Sequence, residues 1–185
     1  MEIFLSICLG VGLSASSGFR VFLPMLVANI ATLCGWITPG EGFAWMATWP
    51  AFFVLLTATI AEISGYYVPF IDNLLDTIAT PAAVLAGILL STSFIQIDNP
   101  VLHWGLGIIL GGGTAGLVQA GTGLLRLFSS KTTAGFGNPV VSTAENIASF
   151  SLSGLAVFLP IVALALVVLL ILWLFKRIGR LRKSK

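Results

Sequence analysis

Long runs of apolar residues, each interrupted by a few glycines, serines, prolines or charges, succeed one another from end to end of the chain. The first runs from Ile3 to about Leu33 and is broken by SASSGFR at 14–20. It exceeds the roughly 20 residues that cross about 30 Å of hydrocarbon. The segment reads either as one long span, the preferred reading, or as a hairpin of two half-helices. Further spans are predicted over about 49–66, 81–97, 101–127 and 151–175. Between them, PFIDNLLDTIA at 69–79 and the stretch 139–149 each open on a proline and predict short polar-faced helices. Thr80-Pro81 reads as the N-cap and first residue of the third span, and Asp98-Asn99-Pro100 as a tight turn. The apolar runs are continuous rather than alternating, which predicts helices and not a closed barrel. The expected architecture is an all-α, polytopic transmembrane helix bundle. It has about five spans, two short amphipathic or re-entrant helices, and a single domain over 1–185.

The interruptions recur. With Pro69 laid over Pro139, an offset of 70, the polar positions Asp72/Ser142, Asn73/Thr143 and Asp76/Asn146 coincide, as do Leu85/Leu155 and Ala86/Ala156. The preceding helices also match, LGVG at 9–12 with LGGG at 110–113, each followed by an arginine, Arg20 or Arg126. The half-repeats would cover about 1–97 and 98–175 and lie inverted in the membrane. Inverted repeats with interrupted helices are a recurring plan of transporters and channels. The competing explanation is chance similarity between two apolar stretches.

Composition agrees with the pattern. The chain is 57% hydrophobic and 9% charged, with a mean hydropathy of +1.05. Soluble domains carry about 25% charged residues. No cleavable leader is expected, because Met1-Glu2 lacks a basic region and the apolar stretch runs past Leu33. Cys8 and Cys34 lie in apolar segments without metal-ligand spacing, so packing is expected of both and a disulfide is not. The net charge of +2 hides a basic tail over 176–185, beginning Lys176-Arg177. A nucleic-acid partner is not expected. The tail reads as a cytoplasmic anchor on anionic lipid of a bacterial inner membrane. Five spans then put the tryptophan-flanked connection 34–48 on the tail side and 69–79 on the outer side. Arg126 and Lys131 fall outside, against the positive-inside rule.

A few residues are costly enough in lipid to need a reason. Arg20 lies well inside an apolar segment, where arginine costs about 2.5–3.5 kcal/mol on insertion scales. It reads as an anion-binding or gating charge paired with an acid, or as a structural arginine that snorkels or fixes helix register. Glu62 is a candidate partner, or an interfacial glutamate beside Tyr66 and Tyr67. Asp72 and Asp76, four apart on one helix face, suit oxygen ligation of a divalent cation; water-facing acids on an amphipathic helix are the commoner arrangement. Glu145 invites the same two readings, and Gln119 adds a neutral polar group to the fourth span. Gly18 and the run Gly111, Gly112 and Gly113 predict close helix approach, or local unwinding that frees backbone groups for an ion. GGG lacks the Lys-Ser/Thr ending of a phosphate loop.

GLSASSGFRVFLP, the acid of the second span, P-x-I-D-x-x-x-D at 69–76 and the Gly-rich fourth helix together resemble a bacterial membrane family known as domain of unknown function 4126. The resemblance covers most of the chain. It implies that Arg20, Glu62, Asp72 and Asp76 form one constellation, and it implies no activity. The leading functional expectation is a channel or transporter for a small ion or solute, as a monomer or homo-oligomer, with a path lined by Arg20, Glu62, Gln119 and Glu145. No cofactor is required by it. Its competitors are an intramembrane lipid- or phosphate-processing enzyme holding a divalent cation at Asp72 and Asp76, and a non-catalytic assembly subunit.

Overall fold

The computed structural model describes residues 2–133 and 137–183; for Pro69, Phe70, Asn73 and 177–183 it describes the backbone alone. Asn73 and most of the basic tail therefore lie outside the described side chains. The described residues form helices and no strand: α1 Glu2–Ser17, α2 Phe22–Leu33, a 3-10 segment Glu41–Ala47, α3 Trp49–Gly65, α4 Pro69–Phe94, α5 Pro100–Leu106, a π segment Gly107–Gly112, α6 Gly113–Thr133, α7 Asn138–Phe158 and α8 Pro160–Lys183.

The bundle is built with small residues inside and large apolar ones outside. Serines 14, 16, 17, 91, 93, 142, 149 and 153 are buried, while Phe53, Ile60, Leu85, Ile109, Phe150 and Leu169 are exposed. In water this arrangement would leave a large apolar surface unsatisfied. In lipid it is favourable, because tails solvate the exterior and close packing and hydrogen bonds hold the interior. This is a membrane protein. Leu74–Phe94, Pro100–Thr133 and Asn138–Phe158 are long and apolar enough to cross, and the pair Glu41–Ala47 and Trp49–Gly65, bent by 68°, makes a fourth candidate.

The preferred single span at 3–33 is not what forms. The chain breaks at Gly18–Val21 into α1 and α2, about 24 and 18 Å long at 1.5 Å per residue, each shorter than the hydrocarbon. The helices then alternate in direction between an Arg20 end and a Trp36 end. The α3 C-terminus lies at the Arg20 end, where Glu62 meets the start of α2. α4 leaves that end and finishes beside the connection, where Gly40 N–H donates to Ser93 O at 2.8 Å. α7 also finishes there, the Trp36 and Phe158 rings 5.0 Å apart. α8 returns, meeting Gly12 through Ala163 and Gly121 through Leu174.

Two expected boundaries shift. Pro81 does not start a helix but lies inside α4; proline is tolerated within membrane helices whose neighbours re-satisfy the freed backbone. The short helix 139–149 continues unbroken to Phe158, and the break falls instead at Leu159-Pro160, inside the span expected over 151–175. As a result the tryptophan-flanked connection and the far end of α8 lie at opposite ends of the bundle, not on one side. Other local signals act as expected: Asn99 Oδ1 accepts from the N–H groups of Val101 and Leu102 to open α5 after the turn.

α1 is central, packed on α4, α6, α7 and α8. Close approach depends on absent side chains. A Cβ at Gly18 would lie 2.6 Å from Ala115 O, and one at Gly111 would lie 2.4 Å from Gly87 O and from Ser91 Cβ. The glycine run does depart from α-helix, as a π segment laid against α4. Gly112 packs on Ile88, whereas Gly113 has open space around it.

Candidate functional site: a buried two-arginine cluster

At the Arg20 end, five elements bring charged groups together. The break after α1 frees Arg20 from helix geometry and turns it into the bundle, where it is 1% exposed. Its Nε donates to Asn146 Oδ1 at 2.5 Å and its Nη2 to the Ser142 carbonyl at 3.1 Å, while Nη1 pairs with Glu145 Oε2 at 3.1 Å. Arg126, on α6, takes the other side of the same glutamate. Its Nε donates to Glu145 Oε1 at 3.0 Å, and its Nη2 bonds Glu145 Oε2 and, at 3.0 Å, Ser142 Oγ. Arg126 Nη1 pairs with Asp72 Oδ1 at 2.5 Å and with Asp76 Oδ1 at 3.2 Å. Both guanidinium groups lie over the Tyr66 ring, 3.9 and 4.3 Å from its centre. A desolvated cation–π contact of this kind contributes up to about 2 kcal/mol.

The contacts follow the offset of 70. Asp72 and Asp76 of α4 hold Arg126, whereas their aligned residues on α7, Ser142 and Asn146, hold Arg20. Each arginine thus meets the polar helix of the other half, but the halves are not inverted as expected. α1 and α6 both run toward the cluster and α4 and α7 both leave it, so the aligned helices are parallel, because the break at Gly18–Val21 adds a reversal between them. Glu145 has no acidic counterpart, since Leu75 aligns with it, and among the described acids it is the one that pairs with both arginines.

Glu62 is brought to the same place but does different work. Its carboxylate accepts from Val21 N–H at 2.8 Å and Phe22 N–H at 3.0 Å. It therefore caps the exposed amides and positive dipole end of α2, tying α3 to the broken first segment. Gln119 is buried on α6, seven residues and about 10 Å of helix from Arg126, outside the ion-pair network. Both aspartates turn toward Arg126, Asp72 fully buried and Asp76 in partial contact with the exterior. Asp72 uses one oxygen on Arg126 and the other to accept from Asn138 Nδ2 at 3.0 Å. Asp76 is a third exposed. Among the described residues no three His, Cys, Asp or Glu side chains are grouped to hold a metal ion.

Arg126, Tyr66, Ser142 and Asn146 complete the site without having been expected in it. The repeat was the available signal, because it aligns Arg126 with Arg20 and Asn146 with Asp76. The cluster also sits nearer one end than the midplane: Asp72 is three residues from the start of α4, and Arg126 seven from the end of α6. The other end carries an open cleft lined by Glu2, Ser6, Trp36, Thr38, Gln96 and Asp98 among others.

A family model described as "Domain of unknown function (DUF4126)" matches residues 7–180. No curated protein and no solved structure matches the chain.

Proposed function

Because the chain belongs to that family over nearly its whole length, and the family's description assigns no chemistry, we propose a function from the geometry: a membrane channel or transporter for a small ion or solute. One observation carries it. Two arginines and the acids that hold them are buried together where charge is expensive, and the pairs Arg20–Glu145 and Arg126–Asp72 tie the first part of the chain to the second. A network of exchangeable pairs across such a join is the kind of element that has two arrangements, and alternating access needs such an element. In this reading the bundle is closed at the Arg20 end by the cluster and open at the Trp36 end through the cleft. With the basic tail on the cytoplasmic face of a bacterial inner membrane, held to anionic lipid, the cluster is the cytoplasmic gate.

The test is flux in liposomes loaded with purified protein. Arg20→Gln loses the bonds to Asn146, Ser142 and Glu145 and drops flux to background. Arg20→Lys keeps the charge but not the forked geometry, so it inserts normally and retains partial flux. Flux unchanged in Arg20→Gln would defeat the reading. The saturation of the cluster by its own members favours one rival, a static lock in a non-catalytic subunit. Absence of any flux in a protein that unfolds on Arg20→Gln supports that rival. A divalent cation at Asp72 and Asp76, as in the enzyme reading, must displace Arg126 and Asn138.

A further inference from the structure

We infer that an anionic phospholipid binds at the cluster end of the bundle, with an acyl chain in the groove between α6 and α8 and its phosphate on Lys131 and Lys176. The inference concerns a face that the transport reading leaves unused, and it does not rest on that reading.

Charge selects the headgroup. The chain has nine lysines and arginines, and none of those described lies at the Trp36 end. Arg20 and Arg126 are taken up by the acids of the cluster. Lys131 stands in the last turn of α6, and Lys176 near the end of α8 opens the basic run that finishes the chain. Both lysines are exposed. The acids outside the cluster, Glu2, Glu41 and Asp98, belong to the opposite end, where Glu2 and Asp98 line the cleft. With the run after α8 counted, nine basic residues stand against the four acids of the cluster, so this end is strongly positive. Such an end draws anionic lipid.

Shape selects the chain. Leu174 of α8 lies over Gly121 of α6, where a Cβ would come within 3.0 Å of it. Beside that contact the two helices leave a groove of about 60 Å³, lined by Leu117, Ala120, Leu124, Ile171 and Phe175 as well. The lining is apolar, and Leu117, Leu124 and Phe175 are exposed along it. A stretch of acyl chain seated there gains packing contacts on several sides, which a convex helix surface does not supply. The groove also points at the charges. Lys131 follows Leu124 by seven residues, so it continues the same face of α6 about 10 Å further toward the cluster end. Lys176 follows Phe175 directly, and its long stem lets the ammonium reach outward to the same level. Hydrocarbon followed by an anion matches this order of groups, whereas free phosphate matches only the lysines.

Full-length protein in detergent is titrated with dioleoyl phosphatidylglycerol, with phosphatidylcholine of the same chains and with glycerol 3-phosphate, and bound molecules are counted by native mass spectrometry. Expected is a single phosphatidylglycerol held about 5-fold or more tightly than phosphatidylcholine, with no glycerol phosphate retained. Lys131→Gln and Lys176→Gln, both at exposed positions, each weaken phosphatidylglycerol about 5-fold and leave phosphatidylcholine unchanged. Ala120→Phe fills the groove from its exposed side and weakens both lipids with every charge in place. Equal binding of the two lipids overturns the headgroup assignment. Phosphatidylglycerol binding untouched by Ala120→Phe overturns the groove, and glycerol phosphate held as tightly as the lipid overturns the lipid itself. None of these measurements reads flux, so their failure and the failure of the transport reading are separate results.

Discussion

Removing one member of a buried ion pair strands its partner, and the cost grows with burial and with the number of bonds lost. Glu145 and Asp76 differ on both counts. Glu145 bridges two buried arginines and is itself buried, whereas Asp76 makes one 3.2 Å contact and is a third exposed. Glu145→Gln is therefore expected to destabilise the protein by about 3 kcal/mol or more. Asp76→Asn is expected to cost about 1 kcal/mol or less. Thermal unfolding in one detergent ranks the two directly; the reverse order would mean that Glu145 is not the keystone of the cluster. Sequence reasoning reached Arg20, Glu62, Asp72, Asp76 and Glu145 because charge within apolar runs is visible by cost alone. It set Arg126 aside as a breach of the positive-inside rule and Tyr66 as an interfacial ring. Both belong to the cluster for reasons of contact, and contact between α3, α6 and α7 is not written in local sequence.

Among the helices, the tightest joint is the π segment on α4. A methyl at Gly111 meets Gly87 O and Ser91 Cβ inside contact distance, while one at Gly113 meets nothing. Gly111→Ala should cost about 1–3 kcal/mol from overpacking, and Gly113→Ala should be neutral or slightly stabilising, since alanine is the better helix former. Melting curves of the two variants are the check, and equal losses would count against a tight joint. Element positions were legible from apolar runs, but breaks were harder. Pro81 looked like a helix start and lies mid-helix, since the bundle satisfies the backbone it frees. The real break, at Leu159, had its own signal in Pro160, hidden by apolar residues on both sides. SASSGFR was rightly read as an interruption, yet composition alone did not decide between a bent span and a reversal. The ends of the two helices decide for reversal: Glu2 and Ser6 at the start of α1 and Trp36 after α2 line the same cleft.

For the molecule as a whole, the alternating helix directions make a prediction about sidedness that needs no transport assay. Cys34 is exposed at the Trp36 end and Cys8 is buried. In intact cells an impermeant maleimide should label Cys34 from the face opposite a C-terminal tag, and leave Cys8 unlabelled until the protein is denatured. Labelling of Cys34 on the same face as the tag would contradict the fold's count of reversals. The membrane character was legible because it is a property of composition and of the length of the apolar runs. The placement of the ends was not, because each missed reversal exchanges the two faces for everything that follows it.

The central position of α1 has a consequence for how the chain is made. This helix precedes all the others, yet Gly12 packs on Ala156 and Ala163 and Gly18 on Ala115 and Val118. α4 can cover Gly10 and Ser14 early, but the faces around Gly12, Ser16 and Gly18 must wait, uncovered in the bilayer, until α6, α7 and α8 have left the ribosome. Contacts this distant in sequence form slowly and late, and a waiting polar helix is exposed to capture by other membrane proteins or by quality-control proteases. Synthesis halted before Pro160 would leave α1 without its last wall, so a chain cut there should be degraded rather than accumulate as a stable truncated bundle.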